Sequence, residues 1–213
     1  MKIRWNGHAC FAIEGPEGRV VTDPYVEEVP YKLATTEANV VTVSHDHDDH
    51  NATDRIAGSP TVLDEIGETV VHGIPFLGIP SFHDDEGGAK RGANRIYAFT
   101  LDGIRIAHLG DLGTPLNDEQ RDALRDVEIL LAPVGGYYTI DAAQAAEICR
   151  TLPKLRVVIP MHFKTDRISD WPIETVEPFA EMMDNARQIG SPQAAVTRES
   201  LPEALEVWIL DYA

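Results

Sequence analysis

Cysteine, basic residues and long apolar runs are all scarce in this chain of 213 residues. The two cysteines, Cys10 and Cys149, provide neither a disulfide framework nor a C-x-x-C pair, and both lie in apolar runs, which favours buried free thiols. No apolar run approaches the roughly 20 residues that span a bilayer, and the first residues form no apolar signal segment. We therefore expect a cytoplasmic protein with no membrane partner.

Positive charge is outweighed by negative charge, because 35 Asp and Glu residues oppose 18 Lys and Arg residues and give a formal net charge of −17. A field of this sign repels nucleic acid and anionic membrane surfaces. No basic stripe with interleaved aromatic residues offsets it. We therefore expect no nucleic-acid partner and a small-molecule substrate, and a homo-oligomer stays open.

Neither a linker rich in Gly, Ser or Pro nor an internal repeat divides the chain. With 43% hydrophobic residues it can bury one sizeable core, so residues 1–213 are expected to form one domain. Apolar runs, caps and turn residues predict strands near 2–5, 9–14, 18–23, 39–44, 60–63, 68–71, 74–80, 94–101, 103–109, 127–132, 155–160 and 206–210, and helices near 117–125, 141–152 and 173–188. The predicted strands come first along the chain, and strands alternate with helices after them. This order predicts an α/β fold of two packed sheets with helices outside.

Residues 45–50, His-Asp-His-Asp-Asp-His, are the most informative segment and contain three of the eight histidines. The pattern H-x-H-x-D-H uses His45, His47, Asp49 and His50. Imidazole nitrogens with one carboxylate suit zinc, and also iron or manganese. The alternative is a solvated acidic loop, but such loops seldom combine this density of histidines with this order.

Three further candidate ligands, His83, Asp111 and His162, each follow an apolar strand, as the hexapeptide does. A lone His or Asp after a strand is more often a cap or a surface residue. Loops at one edge of a sheet sandwich can gather such side chains in one cleft, and functional residues concentrate in loops. The repeated placement therefore indicates one shared site.

Taken in order with Asp23 in Val-Val-Thr-Asp-Pro, these residues resemble the motif set of the metallo-β-lactamase superfamily, whose fold is an αββα four-layer sandwich. Residues 7–11, 108–113, 133–139 and 160–163 are similar to the branch of small hydrolases that includes L-ascorbate-6-phosphate lactonase. The resemblance covers nearly the whole chain. It is specific for the fold and unspecific for the substrate, because this superfamily carries many activities on one scaffold.

The resemblance implies two divalent metal ions, with zinc expected and manganese or iron as alternatives. One ion would be held by His45, His47 and His83, and the other by Asp49, His50 and His162. Asp111 would bridge the two ions beside a hydroxide, so Asp49 and Asp111 are expected to serve catalysis. Two divalent ions keep a positive formal charge among these groups, so the pocket can accept an anionic substrate.

Weaker candidates for orienting a ligand or contacting the substrate are Asp23, His8, Arg91, Asn94, Tyr138 and Lys164. Asp23 is expected to orient a ligand by a hydrogen bond, and its alternative is a turn-forming residue before Pro24. His8 could line the cleft, bind a third metal ion or the substrate, or bond to backbone. Tyr138 could place a phenol near the metals or lie in the core. Arg91 could bind a phosphate or carboxylate and Lys164 an anionic leaving group, and the alternative for both is a solvated side chain. His108 is expected to be structural and His72 exposed.

The sequence thus predicts a metal-dependent hydrolase of a small, anionic ester, lactone or phosphodiester. No Gly-x-Ser-x-Gly elbow and no Gly-x-Gly-x-x-Gly motif indicates a covalent nucleophile or a nucleotide cofactor. The alternative is a metal-binding sensor or binding module without efficient turnover. The full set of ligands favours the enzyme, because a degenerate relative would be expected to have lost ligands.

Overall fold

Two β-sheets dominate the computed structural model, which describes residues 1–213. The strands are β1 (Lys2–Gly7), β2 (Cys10–Gly15), β3 (Gly18–Thr22), β4 (Val40–Thr42), β5 (Thr61–Leu63), β6 (Gly67–Val71), β7 (Ile74–Phe82), β8 (Ala93–Leu101), β9 (Ile104–His108), β10 (Ile129–Pro133), β11 (Val157–Met161), β12 (Ala186–Gln188), β13 (Gln193–Ala195) and β14 (Glu206–Ile209). The α-helices are α1 (Asp118–Ala123), α2 (Ala142–Thr151) and α3 (Glu177–Glu181). The six-stranded sheet has the order β13-β1-β2-β3-β4-β5, and the eight-stranded sheet has the order β12-β14-β11-β10-β9-β8-β7-β6.

The central strands of the six-stranded sheet, β2, β3 and β4, are buried on both faces, and their alternate residues enter different cores. In β2, Phe11 and Ile13 join a cluster of 48 buried residues that includes strands of both sheets, so this cluster fills the space between them. Cys10 and Ala12 point the other way, into a separate cluster of 12 residues. This alternation arises because successive side chains along a β-strand point to opposite faces of the sheet.

The central strands of the eight-stranded sheet are apolar throughout, because they are covered on both faces. All five residues of β10 and all five of β11 are buried, and the two strands pair in parallel. Helix α2 connects them, and it begins at Asp141, whose side chain and that of Gln144 form a capping box. Its alanine-rich face joins the large core, as expected for a helix that covers a parallel sheet.

The outer face of the six-stranded sheet is covered by irregular segments instead of α-helices. Tyr25 and Tyr31 come from the connection between β3 and β4, and Ile168 and Ile173 come from the connection between β11 and α3. The α/β sandwich predicted from the sequence is confirmed, with all three α-helices following strands of the eight-stranded sheet.

The helix predicted over 173–188 is wrong in most of its length. Only Glu177–Glu181 is α-helical, with Pro178 in its first turn, and 186–188 is a strand instead. This strand pairs in parallel with β14, so sheet hydrogen bonding decides its conformation. All three of its residues are exposed, so it carries no apolar pattern and was missed for this reason. The three-residue β13, which has one buried residue, was also missed.

No helix of this chain combines the length and the apolar character needed to cross a membrane.

Candidate metal centre

Six strands deliver the candidate residues to the same edge of the sandwich. β3 and β4 run parallel, β1 has the same direction as β3 through two antiparallel steps, and β7, β9 and β11 share one direction in the other sheet. The residues that come at or just beyond these strand ends are His8, Asp23, the segment 45–50, His83, Asp111 and His162. The topology thus explains why residues far apart in sequence meet.

The first expected group of ligands is assembled as the motif predicts. His45, His47 and His83 each offer a ring nitrogen, and these nitrogens lie within 4.8 Å of one another. His45 and His83 are buried, while His47 is exposed toward the cleft. Three imidazoles at this spacing match the donor set of a catalytic zinc site.

The second group differs in one member from the expected set. His50 and His162 are grouped with His8, and again the three nitrogens lie within 4.8 Å of one another. Asp49 lies beside them, with its Oδ2 3.6 Å from His50 Nε2 and 3.0 Å from His8 Nε2. His8 is therefore a direct neighbour of Asp49 and does not simply bond to backbone through its ring.

Asp111 lies between the two groups. Its Oδ2 is 3.1 Å from His162 Nε2, 3.3 Å from His83 Nε2 and 3.4 Å from His50 Nε2. Burial raises the pKa of Asp111, but the surrounding imidazoles outweigh burial and hold this pKa well below its ordinary value. A carboxylate that touches imidazoles of both groups has the position expected of a bridge.

Asn94 fixes Asp111 from the neighbouring strand. Its side-chain oxygen accepts a hydrogen bond from the backbone N–H of Asp111, at 3.0 Å. Its amide nitrogen donates to Ser81 Oγ and to the carbonyl of Leu109, at 2.7 and 2.9 Å. Because Asn94 is buried and fully engaged, it orients Asp111 and does not face a substrate.

Asp23 holds two imidazoles at once. His50 Nδ1 donates to Asp23 Oδ2 at 2.8 Å. Ser44 Oγ donates to the same oxygen at 2.5 Å, so it must accept from His45 Nδ1, which is 2.9 Å away. Both rings therefore carry their proton on Nδ1, and Nε2 is left as a lone-pair donor toward the site. These are the hydrogen bonds that the ligand-orienting role predicted for Asp23 requires.

The site contains buried polar atoms that no protein group satisfies. His45 Nε2, His50 Nε2 and Asp111 Oδ1 have no hydrogen-bond partner. Leaving such atoms buried and unpaired is unfavourable, so they indicate a missing positively charged partner. The carboxylates around His50, Asp111 first, outweigh burial and raise its pKa well above the ordinary value, so His50 Nε2 favours a cation, either a proton or a metal ion in its place. The residues present therefore fit a divalent cation.

Several strand-end residues adopt a left-handed backbone that costs energy outside glycine. His8, Asp23 and His162 have φ values of 53°, 42° and 51°. The backbone N–H of His162 donates to the carbonyl of His8 at 3.2 Å, which joins the ends of β1 and β11. Such conformations persist where the surroundings impose them, and they cluster at functional sites.

A cleft of about 560 Å³ opens above these residues. Besides His47, Asp49, His83, Asp111 and His162, its walls are formed by Arg91, Tyr138, Asp170, Trp171 and Pro172. Its volume lies within the usual range of small-molecule sites, about 300–1,000 Å³. Arg91 and Tyr138 therefore lie where the sequence analysis placed a substrate contact.

Lys164 lies outside this cleft. It lines a different cavity with Trp5 and Tyr212, so its proposed contact with a leaving group at the metal ligands does not match its position. His108 is buried, and its Nε2 lies 2.7 Å from the carbonyl oxygen of Ala9, which agrees with a structural role. His72 is exposed in the turn between β6 and β7, also as expected.

Sequence reasoning missed Ser44, Asp84 and Trp171. Ser44 follows a strand as an ordinary polar residue, and only its contact with Asp23 and His45 reveals its role. Trp171 packs its edge on His8 with ring centroids 5.4 Å apart. The role of Asp84 could have been predicted from the sequence, because an Asp before a glycine-rich stretch is typical of a loop whose backbone N–H groups bond to a carboxylate.

Comparisons with known proteins agree with this geometry. A family model described as the beta-lactamase superfamily domain matches residues 2–162. A UPF0173 metal-dependent hydrolase of Nitratidesulfovibrio vulgaris is 32% identical over 197 residues, covering 77% of this chain and 80% of the relative. Another, of Thermococcus onnurineus, is 28% identical over 206 residues, covering 84% and 89%.

A solved structure shares the whole fold. It is a candidate Zn-dependent hydrolase of the metallo-β-lactamase superfamily from Thermotoga maritima, with a TM-score of 0.83, 32% identity, and coverage of 100% of this chain and 99% of that one. The resemblance at the superfamily level is confirmed, while the lactonase-like branch stays a prediction. The chain belongs to the metallo-β-lactamase superfamily, among the UPF0173 metal-dependent hydrolases.

Proposed function

We propose that this chain hydrolyses a small anionic ester, lactone or phosphodiester with two divalent metal ions, zinc first among them. The observation that carries the proposal is the position of Asp111, whose Oδ2 contacts imidazoles of both histidine groups at 3.1 to 3.4 Å. The unpaired Nε2 atoms of His45 and His50 support the same assignment. The two unpaired buried thiols are compatible with the cytoplasm, where we place the reaction.

The ligands we assign follow the two groups of imidazoles. One ion would be held by His45, His47 and His83, the other by Asp49, His50 and His162, and Asp111 would be shared. When bound, two ions in such a site supply a hydroxide nucleophile near neutral pH and polarise the bond that breaks.

The remaining residues of the site have positioning roles in this proposal. Asp23 orients His50 directly and His45 through Ser44, while Asn94 orients Asp111. His8 holds Asp49 at 3.0 Å and restricts its rotation. These contacts keep the ligands in place before the substrate arrives, which is what precise orientation of a reaction requires.

The lining of the cleft favours direct hydrolysis over a covalent route. None of the ten lining residues is Ser, Cys, Thr or Lys, so the nucleophiles of the commonest acyl-enzyme routes do not face the substrate. We therefore expect that water attacks the scissile centre and that no acyl- or phosphoryl-enzyme forms. Trp171 and Pro172 form an apolar part of the wall.

The test is a substrate screen of the protein loaded in turn with zinc, manganese and iron. We expect hydrolysis of at least one class among para-nitrophenyl esters, lactones and bis(para-nitrophenyl) phosphate. Asp111→Asn should keep the fold, seen by circular dichroism, and lose most of the activity. Asp46→Asn is the matched control, because Asp46 is an exposed residue of the same ligand loop that bonds Asn51 instead.

Single-turnover hydrolysis in heavy-oxygen water examines the mechanism. Solvent oxygen should enter the product in the first turnover, and oxygen derived from the enzyme would contradict the proposed attack by water. A protein that binds two ions tightly and hydrolyses none of these classes would instead fit a metal-binding sensor.

A further inference from the structure

We infer that Arg91 selects the charge of the substrate by binding an oxyanion, carboxylate or phosphoryl, that lies away from the bond that breaks. This inference rests on the proposed function and deepens it. The anionic group of the substrate would bind one side chain of the cleft wall, Arg91, while a different part of the substrate would lie at the metal ligands.

Arg91 is an uncommitted cation inside the cleft. Its neighbour Lys90 pairs with Asp85 at 3.6 Å and with Glu86 at 2.7 Å. The guanidinium of Arg91, in contrast, takes part in no ion pair and donates no hydrogen bond, and its described contact is the ring of Tyr138, 5.5 Å from the centroid. Its five N–H donors form a rigid fork that matches a carboxylate or a phosphoryl group.

The loop before Arg91 is folded around a buried carboxylate. Asp84 accepts hydrogen bonds from four backbone N–H groups, those of Glu86 and Gly88 at 2.8 and 2.9 Å and those of Lys90 and Arg91 at 2.9 and 2.7 Å. The Arg91 backbone is therefore fixed by the residue directly after His83.

Stacking fixes the other end of Arg91. Tyr138 lies in the Gly-Gly-Tyr-Tyr segment after β10 and is half-buried, so it offers a ring face to the guanidinium. A cation held on an aromatic face keeps its in-plane N–H groups free for an anion. Asp84 and Tyr138 are accordingly positioning residues, and Arg91 is the group that would touch the substrate.

The negative charge around the cleft makes the single positive charge of Arg91 important for binding an anionic substrate. The chain has a formal net charge of −17, and the cleft also contains the carboxylates of Asp49, Asp111 and Asp170. The two ions would offset the carboxylates of Asp49 and Asp111 beside the scissile group, and a fixed cation elsewhere on the wall would offset the repulsion of the substrate's remote charge. Arg91 supplies that cation, and the metal centre is left to engage the scissile group.

The test measures binding of three matched acids to the zinc-loaded protein by isothermal titration calorimetry. Butyrate, succinate and phosphonopropionate each carry one carboxylate and differ at the far end, which is a methyl, a second carboxylate or a phosphonate. We expect the wild type to bind one of the dianions about tenfold to hundredfold more tightly than butyrate. A factor of this size corresponds to the free energy that a charged hydrogen-bonded pair between Arg91 and the anion contributes to binding. The dianion with the larger gain in affinity over butyrate identifies the anionic group, carboxylate or phosphoryl, that Arg91 binds.

The variants separate charge recognition from metal binding. Arg91→Gln should abolish the preference and leave the zinc content and the butyrate affinity unchanged, and Asp84→Asn should reduce the preference in the same direction. Arg167→Gln is the matched control, because Arg167 also lies over a tyrosine ring, that of Tyr212 at 5.8 Å, but is exposed outside the cleft. It should keep the wild-type preference.

Two results would overturn the inference: a wild type that does not distinguish either dianion from butyrate, or an Arg91→Gln variant that keeps the preference. Turnover of para-nitrophenyl butyrate and of the para-nitrophenyl monoester of succinate is followed separately. If neither ester is hydrolysed while Arg91 still controls dianion binding, then the ester-hydrolase form of the proposed function fails and the inference stands.

Discussion

Replacing Asp23 by Asn should weaken metal binding without removing any ligand. The oxygen of Asn can still accept from the backbone N–H of Ser44, as Asp23 Oδ1 does at 2.8 Å. Its NH₂ group would then face Ser44 Oγ and His50 Nδ1, which both donate to Asp23 Oδ2 now. To avoid two opposed donors, the proton of His50 must move to Nε2, the atom that faces the metal site.

The expected loss follows from the number of imidazoles that depend on this one carboxylate. Removing the partner of a ligating histidine usually lowers metal affinity by about 10- to 100-fold, which corresponds to about 1.4 to 2.8 kcal/mol. Asp23 acts on His50 directly and on His45 through Ser44, so both ions should be affected.

Competition titration of zinc against a chromophoric chelator measures the two affinities. Asp46→Asn makes the same chemical change in the exposed part of the ligand loop and should leave both affinities at the wild-type values. If Asp23→Asn binds both zinc ions as tightly as the wild type does, the assignment of the His50 and His45 protons is wrong.

Three further predictions concern metal content, thiols and packing. Zinc-reconstituted protein should contain about two ions per chain by elemental analysis, and a metal-free result after reconstitution would contradict the whole assignment. Cys10 and Cys149 should resist a thiol reagent at mildly alkaline pH until denaturant is added, because burial raises the pKa of each to about 12; rapid labelling of the native protein would refute this. Gly135→Ala should destabilise the fold by about 1–3 kcal/mol in chemical denaturation and lower zinc content, because the added Cβ would collide with the carbonyl oxygen of His162. Gly73→Ala, where a Cβ meets open space, should keep the zinc content, and equal zinc loss in both variants would exclude the collision as the cause.

The sequence predicted which side chains the structure brings together, because the geometry of this cluster depends on strand ends. An apolar run followed by His or Asp reveals both the strand and the side chain at its end, as at His83 and His162. The same reasoning pointed to Asp23, although its hydrogen bond to Ser44, and through Ser44 to His45, depends on the fold.

Prediction failed where conformation depends on pairing partners that the local sequence does not reveal. The segment 186–188 is polar and exposed and becomes a strand only because β14 lies beside it. The position of Lys164 was misjudged for a related reason, since proximity in sequence to His162 does not determine which cavity a side chain enters. Likewise, the bond between His8 and Asp49 joins residues that are 41 positions apart.

The ligand groups are divided between the two sheets, and this division has a thermodynamic consequence. His45 and His50 follow a strand of the six-stranded sheet, whereas His83, Asp111 and His162 follow strands of the eight-stranded sheet. Ions held by this set would cross-link the sheets at one edge of the sandwich. Each ion at a free concentration of about 100 times its Kd would add about 2.7 kcal/mol to the free energy of unfolding. The melting temperature of the chain would then report the free metal concentration around it, and a chelator would weaken the fold as well as the chemistry.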